Sequence, residues 1–182
     1  MSSHGWIRLL IGVFATVIVA GTAQASEPAE LRDALRQRYT SSRMEVQNVT
    51  TAGAVVRPGT VLRLETGAVP AKRLRFIQAS PKSPRFHVRD YARVEIAGDR
   101  VLAAERGDFA LQPGARVVVL DLKVDRDRVR LFTHTAEPVA LPTGRAEYGC
   151  TEFVFRLDPD VIQRADAATI AQAIERWLAR AA

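Results

Sequence analysis

Cysteine is nearly absent from this chain, which contains one, Cys150, among 182 residues. A single thiol cannot form an internal disulfide, so the sequence excludes a disulfide-stabilised scaffold. Lysine is also scarce, since only three of the 26 basic residues are Lys and the others are Arg. Glycine follows no repeat, and 47% of the residues are hydrophobic. These features exclude a collagen-like or fully disordered chain and predict a globular protein.

The uncharged apolar run Leu9–Ala20 is too short for a membrane-spanning helix, which needs about 20 residues. The run follows Arg8, the only charged residue among the first 25, and precedes the small residues Ala23 and Ala25. This combination is typical of a secretory signal peptide. We expect cleavage after Ala25, a periplasmic or secreted protein, and no transmembrane segment after cleavage. An uncleaved N-terminal anchor is the alternative.

Residues 26–182 have the size of one domain, which can bury a core without further crosslinks. Its first segment, 26–40, predicts a short helix, because Leu31, Leu35 and Tyr39 recur at roughly helical spacing. The last segment also predicts a helix.

That C-terminal helix is expected over residues 160–180, and the amphipathic pattern that predicts it begins near Asp166. Its apolar side chains fall on one face, at positions four, seven and eight residues after the first. They are Ile170, Ile174, Trp177 and Leu178. A terminal helix with one apolar stripe is expected to close one end or face of the fold.

Residues 44–157 contain short apolar or alternating runs separated by Pro and Gly, which is typical of strands. Turns at Ala97–Arg100 and Asp125–Arg128 predict two hairpins. The fold class is therefore predicted as mainly β (α+β), a small antiparallel barrel or sandwich with a helix at each end. The short strands around Pro-Gly turns resemble small SH3-like or OB-like barrels, a likeness that concerns the fold alone.

Two segments share one pattern, in which Pro-Gly is followed by an alternating run. The first copy begins at Pro58-Gly59 and the second at Pro113-Gly114. One interpretation is that many strands simply begin after such turns. The other is that the two segments belong to related halves of a small barrel.

Nucleophilic chemistry has few candidates, because the mature chain has one thiol, Cys150, and two imidazoles, of which His134 is the nearer in sequence. A thiolate paired with an imidazole can form an acyl-enzyme. The pair resembles the Cys/His pair of periplasmic L,D-transpeptidases, which implies a cell-wall acyl-transfer enzyme as an alternative. That family has Ser, Arg and Gly where this chain has Glu147, Glu152 and Thr135.

No cofactor or metal is expected. The spacing of the two histidines and the cysteine is not that of a zinc site. No Gly-rich phosphate loop precedes a helix.

The most distinctive chemical feature is a basic segment, residues 72–93, with seven basic residues and the single acid Asp90. Its candidate anion-binding residues are Lys72, Arg73, Arg75, Lys82, Arg85, Arg89 and Arg93. Arg and Lys beside aromatic residues can hold phosphate or carboxylate groups. Anionic lipid, lipopolysaccharide and peptidoglycan are the expected ligands, and nucleic acid is not. The alternative is an ordinary solvated face of an Arg-rich protein.

The predicted function is a non-enzymatic, exported binding or accessory module that contacts anionic components or a protein of the cell envelope. A structural or partner-docking protein is a further alternative. An exposed apolar patch would be the sign of that role.

Overall fold

The computed structural model describes residues 29–45, 54–78 and 86–181. The predicted signal peptide lies outside these ranges, as do Lys82 and Arg85 of the basic segment. None of the helices within them is long and apolar enough to cross a bilayer.

The described chain is mostly β, with few helices. The helices are α1 (Ala29–Arg38), α2 (Pro159–Gln163) and α3 (Ala167–Glu175). The first eight strands are β1 (Arg43–Glu45), β2 (Ala54–Arg57), β3 (Val61–Leu64), β4 (Val69–Arg73), β5 (Phe76–Gln78), β6 (Phe86–Val88), β7 (Ala92–Ala97) and β8 (Arg100–Ala104). The others are β9 (Phe109–Leu111), β10 (Arg116–Val124), β11 (Arg128–Thr135), β12 (Val139–Ala140), β13 (Ala146–Glu147), β14 (Gly149–Arg156) and β15 (Leu178–Arg180).

The main sheet curls into a half-barrel. At β14 it divides into two branches, which we call the fork. Its strands lie in the order β15-β3-β10-β11-β14. Beyond β14, residues 149–150 pair with β4, which continues to β9, while residues 151–155 pair with β7, which continues to β8. The β7–β14 pairing is parallel and departs from the predicted antiparallel arrangement, whereas the other described pairs of this sheet are antiparallel. The likeness to an SH3-like or OB-like barrel stays a prediction.

Both predicted hairpins are confirmed. Strands β7 and β8 are joined by Gly98-Asp99, where Gly98 has a φ of 58°. Glycine adopts this left-handed conformation without the steric cost that a side chain would add. Strands β10 and β11 pair around the turn at Asp125. The two Pro-Gly segments also meet, because β3 and β10, which follow them, are antiparallel neighbours.

The concave face of the half-barrel carries the core. Strand positions alternate between the two faces of a sheet, so every second residue of β7, β11 and β14 points inward. These buried residues include Val94, Ile96, Val129, Leu131, Phe153 and Phe155. The helices fill the open side of the curl with Leu31, Leu35, Ile162, Ile170 and Ile174.

The C-terminal segment differs from the single helix predicted for 160–180. Asp158 caps α2 and Asp166 caps α3, each through a side-chain oxygen that accepts a backbone N–H. Helix α3 ends at Glu175, and Leu178–Arg180 form β15. The apolar stripe did predict burial correctly, since Trp177 and Leu178 are buried. However, β3 offers an open edge, and pairing with it satisfies backbone groups that a helix end would leave unpaired.

Candidate functional site

The basic segment runs through β4, β5, β6 and β7, and the structure describes five of its seven cations. Lys72 and Arg73 end β4, while Arg93 lies in β7. The segment folds back on itself, because the backbone N–H of Arg89 donates to the carbonyl of Arg75 at 2.8 Å. Arg75 and Arg89 are therefore neighbours on an exposed part of the surface.

Three of these cations face carboxylates. The Nε of Arg93 lies 3.1 Å from Glu152, and that of Arg89 lies 3.3 Å from Asp90. Arg73 lies 4.0 Å from Glu147. Ion pairs of this kind reduce the charge available to an external anion. Anion binding by the segment stays a prediction, since Lys82 and Arg85 lie outside the described residues.

His134 and Cys150 are direct cross-strand partners on β11 and β14. The pairing places both side chains on the convex face of the sheet, opposite the main core. Both residues are 0% exposed. Cys150 packs there with Val88 and with the partly buried Leu74 and Tyr91. The topology therefore brings the thiol and the imidazole close together, but under a cover of apolar side chains.

The protonation of the two groups follows from this burial. Nδ1 of His134 donates to the carbonyl of Thr135, and Nε2 is buried with no hydrogen-bond partner in the described residues. Burial lowers the pKa of His134, with the Thr135 bond acting in the opposite direction. Burial also raises the pKa of the Cys150 thiol. A neutral, enclosed thiol without a base in hydrogen-bond contact is poorly suited to nucleophilic attack.

Buried, neutral His134 predicts a specific dependence of stability on pH. Below its ordinary pKa of about 6.5, the unfolded chain takes up a proton that the folded chain resists, because burial lowers the pKa of His134 in the folded state. The free energy of unfolding should therefore fall as the pH drops below about 6.5, by up to about 1.4 kcal/mol per pH unit.

His134→Phe should remove this part of the pH dependence, since phenylalanine does not titrate. Urea unfolding of both proteins from about pH 7 to about pH 5 measures it. An equal slope in the two proteins would contradict the assignment of the effect to His134.

The convex face also carries a network of ion pairs. The side chain of Glu152 is only 8% exposed, and its two oxygens accept from different guanidinium groups, Arg93 at 3.1 Å and Arg130 at 2.7 Å. Arg156 joins Glu95 and Asp127 in the same way, at 3.2 and 2.6 Å. The hydrogen bond from Arg128 lowers the pKa of Asp127, and Arg156 lowers it further. The charged groups of this network therefore neutralise one another.

Strand β8 is the outermost strand of one branch of the fork and is exposed to solvent along its length. All five of its residues are exposed. Val101 is 49% and Leu102 54% exposed, and they are the exposed large hydrophobic residues of the described chain. In that part of the chain, β8 pairs only with β7. Its other edge, which we call the β8 edge, presents backbone groups that pair with no described residue, beside apolar side chains.

A cavity of about 150 Å³ lies beside this edge, in the fork between the two branches of the sheet. We call it the fork cavity, and the loop 66–68 borders it. Its lining side chains are Val69, Pro70, Val94, Val101, Ala104 and Trp177. The indole N–H of Trp177 donates to the carbonyl of Gly98 at 2.8 Å, which holds the ring against the β7–β8 turn. A dry apolar cavity of about this volume accepts a group the size of benzene.

Sequence reasoning placed Val101–Ala104 in a hairpin but did not identify it as a site. A signal was present, because four apolar residues follow one another without the polar alternation of a half-exposed strand. No group of three or more metal-ligating side chains occurs within the described ranges.

No family model, curated protein or solved structure matches this chain.

Proposed function

We propose that this chain is an exported, non-enzymatic module that docks an extended polypeptide along the β8 edge. The observation that carries the proposal is the exposure of Val101 and Leu102 on a strand whose outer edge pairs with nothing in the described part of the chain. Exposed apolar edge strands are aggregation hazards unless something covers them. An added strand would pair with the free backbone groups, which is a common mode of peptide recognition.

The fork cavity adds a place for one side chain of the docked segment. Val101 and Ala104 line both the edge and the cavity, so a strand added to β8 passes the cavity mouth. Cross-strand neighbours lie about 5 Å apart, which brings a side chain of the incoming strand within reach of the apolar lining. The chemistry that fits is one aromatic or branched aliphatic residue in an extended backbone.

Polypeptide docking is supported more strongly than acyl transfer or anion binding. The thiol and imidazole that acyl transfer would use are enclosed. Most of the described cations of the basic segment already face carboxylates. The β8 edge, in contrast, combines unpaired backbone groups, exposed apolar side chains and an adjoining cavity. Export is supported by the apolar run Leu9–Ala20 and the small residues that follow it.

Photo-crosslinking tests the docking surface directly. With a photoreactive amino acid in place of Leu102 in the full chain, irradiation of cells should yield a covalent adduct with a polypeptide. The same substitution at exposed Arg126, on the β10–β11 turn, which β14 and β7 separate from β8, should not yield that adduct. Mass spectrometry of the adduct should place the crosslink in a segment with apolar residues at alternate positions.

Leu102→Asp provides the matched loss-of-binding variant. When the photoreactive group is at position 101, Leu102→Asp should abolish the adduct while leaving the circular dichroism spectrum of the folded chain unchanged, because residue 102 is exposed. No adduct from position 102, or the same adduct from positions 102 and 126, would overturn the proposed function.

A further inference from the structure

We propose that the polypeptide docked on the β8 edge is β8 of a second copy of this chain, in antiparallel orientation. This inference rests on the proposed function and names its partner. It is argued from the charges that flank the strand, from a β-bulge within it and from the adjoining cavity.

The charges at the two ends of β8 are complementary to each other. The segment reads Asp99-Arg100-Val101-Leu102-Ala103-Ala104-Glu105-Arg106. If Arg100 lies opposite Glu105 of an antiparallel second copy, Asp99 also lies opposite Arg106. The twofold symmetry of the pair then repeats each contact. Opposite charges on facing positions of two strands stabilise their pairing, whereas like charges oppose it.

These charged side chains are available for such contacts. All four are exposed, and within the described ranges Asp99, Arg100 and Arg106 form no ion pair. Glu105 accepts only a long hydrogen bond, 3.4 Å, from the backbone N–H of Arg93. These charges differ in this respect from the ion-paired side chains of β7, β11 and β14, whose acidic and basic groups already neutralise one another.

A bulge in β8 is what makes this pairing geometrically consistent. In a regular strand, residues five apart point to opposite faces, so Arg100 and Glu105 could not both form facing pairs. In β8, however, Val101 is opposite Ile96 and Ala103 is opposite Glu95, which leaves Leu102 as an extra residue.

Because of the extra residue, the two ends of β8 present Arg100 and Glu105 to the same face of the sheet. Arg100 lies opposite Ala97, and the N–H of Glu105 donates to the carbonyl of Arg93 at 2.8 Å. Ala97 and Arg93 are four residues apart on β7, so they lie on one face of the sheet. Arg100 and Glu105 consequently share that face, while Val101 and Ala104 share the other, with Ile96 and Val94.

The fork cavity fits the same register. Val101 of the second copy would lie opposite Ala104, on the face that lines the cavity. By symmetry, Val101 of the first copy would lie opposite Ala104 of the second. The exposed Leu102 would lie opposite Ala103, whose small side chain leaves room for it. A closed twofold pair covers the β8 edge of both copies at once, so neither β8 can accept a further strand.

Charge exchange tests this pairing. Sedimentation of the unmodified mature chain across a wide range of concentrations should show a concentration-dependent dimer. Arg100→Glu and Glu105→Arg should each weaken dimerisation about tenfold or more, because each places like charges opposite one another twice. An equimolar mixture of the two variants should form a heterodimer, since every facing pair is then of opposite sign. Arg126→Glu, which β14 and β7 separate from the β8 edge, should dimerise like the unmodified chain.

Thermal unfolding of each variant shows whether loss of the dimer reflects loss of folding. A monomeric unmodified chain, or single variants that dimerise like it, would overturn the inference, and so would a mixture that fails to form the heterodimer. A monomer whose residue 102 still crosslinks to another polypeptide would overturn self-pairing alone. A monomer with no crosslink at residue 102 would overturn the proposed function as well.

Discussion

Gly59→Ala is expected to lower the free energy of unfolding by about 3 kcal/mol or more. A Cβ atom at this position would lie 2.1 Å from the carbonyl oxygen of Thr40 and 2.8 Å from the backbone nitrogen of Ser42. Both clashes are with backbone atoms, so no change of rotamer relieves them. Thr40 is further held by Thr60, whose N–H donates to its carbonyl at 2.9 Å, and Ser42 donates to Val119 at 2.7 Å.

Two other glycines provide controls for this prediction. Gly114, in the second Pro-Gly turn, has open space for a Cβ but a φ of 87°, so Gly114→Ala should cost about 1–2 kcal/mol through backbone strain alone. Gly67 has open space and no left-handed φ, and Gly67→Ala should be nearly neutral. Urea unfolding followed by circular dichroism measures all three variants. Equal stability of Gly59→Ala and Gly67→Ala would show that the close approach at Gly59 is unimportant.

Glu152→Ala is expected to lower the free energy of unfolding by about 3 kcal/mol. The substitution leaves Arg93 and Arg130 next to each other without the buried carboxylate that each of them contacts. Because their side chains are 40% and 25% exposed, water still solvates part of each guanidinium. The effect should therefore fall at the lower end of the range for a broken buried pair.

The matched control is Glu137→Ala, which removes the carboxylate of an exposed ion pair with Arg116. Exposed pairs contribute little, so this variant should differ from the unmodified chain by less than about 0.5 kcal/mol. The free energy of unfolding of Glu152→Gln should lie between those of Glu152→Ala and Glu137→Ala, since an amide retains one acceptor oxygen. If chemical unfolding gives Glu152→Ala and Glu137→Ala the same stability, the convex network does not stabilise the fold as described.

Local patterns predicted the hairpins well, because their determinants lie within a few residues. Gly98-Asp99 supplies the turn, and alternating residues on both sides supply the strands. Helix α1 was predictable for the same reason, since Leu31 and Leu35 are one turn apart and both are buried. In the described residues this helix spans Ala29–Arg38 and so ends before residue 40, while residues 26–28 of the predicted segment lie outside the described ranges.

The C-terminal segment shows where local pattern is insufficient. Its apolar spacing correctly predicted which side chains are buried, including Trp177 and Leu178. The same spacing could not predict that Leu178–Arg180 would leave the helix and pair with β3, a strand more than 110 residues earlier. An open strand edge far away in sequence determined the backbone conformation of these residues.

For the candidate sites, too, the sequence identified residues but not their spatial neighbours. Composition identified the basic segment, but charge along a sequence carries no information about which carboxylates will face it. Glu152, which is distant in sequence, accepts from Arg93 because β14 and β7 are parallel neighbours. Likewise, the 16 residues between His134 and Cys150 did not indicate that the two would be direct cross-strand partners and fully enclosed.

By itself, the amino-acid sequence determined the mainly β character of this protein, its hairpins and the buried faces of its two terminal segments. These properties depend on periodicity and turn chemistry, which act over short distances along the chain. Only the tertiary structure decided which strands are interior and which is an edge. Val101–Ala104 has the composition of a buried strand, yet it lies at the end of a branch where the described chain supplies no neighbour. Exposure depends on the neighbours that a strand receives, and those come from distant parts of the chain.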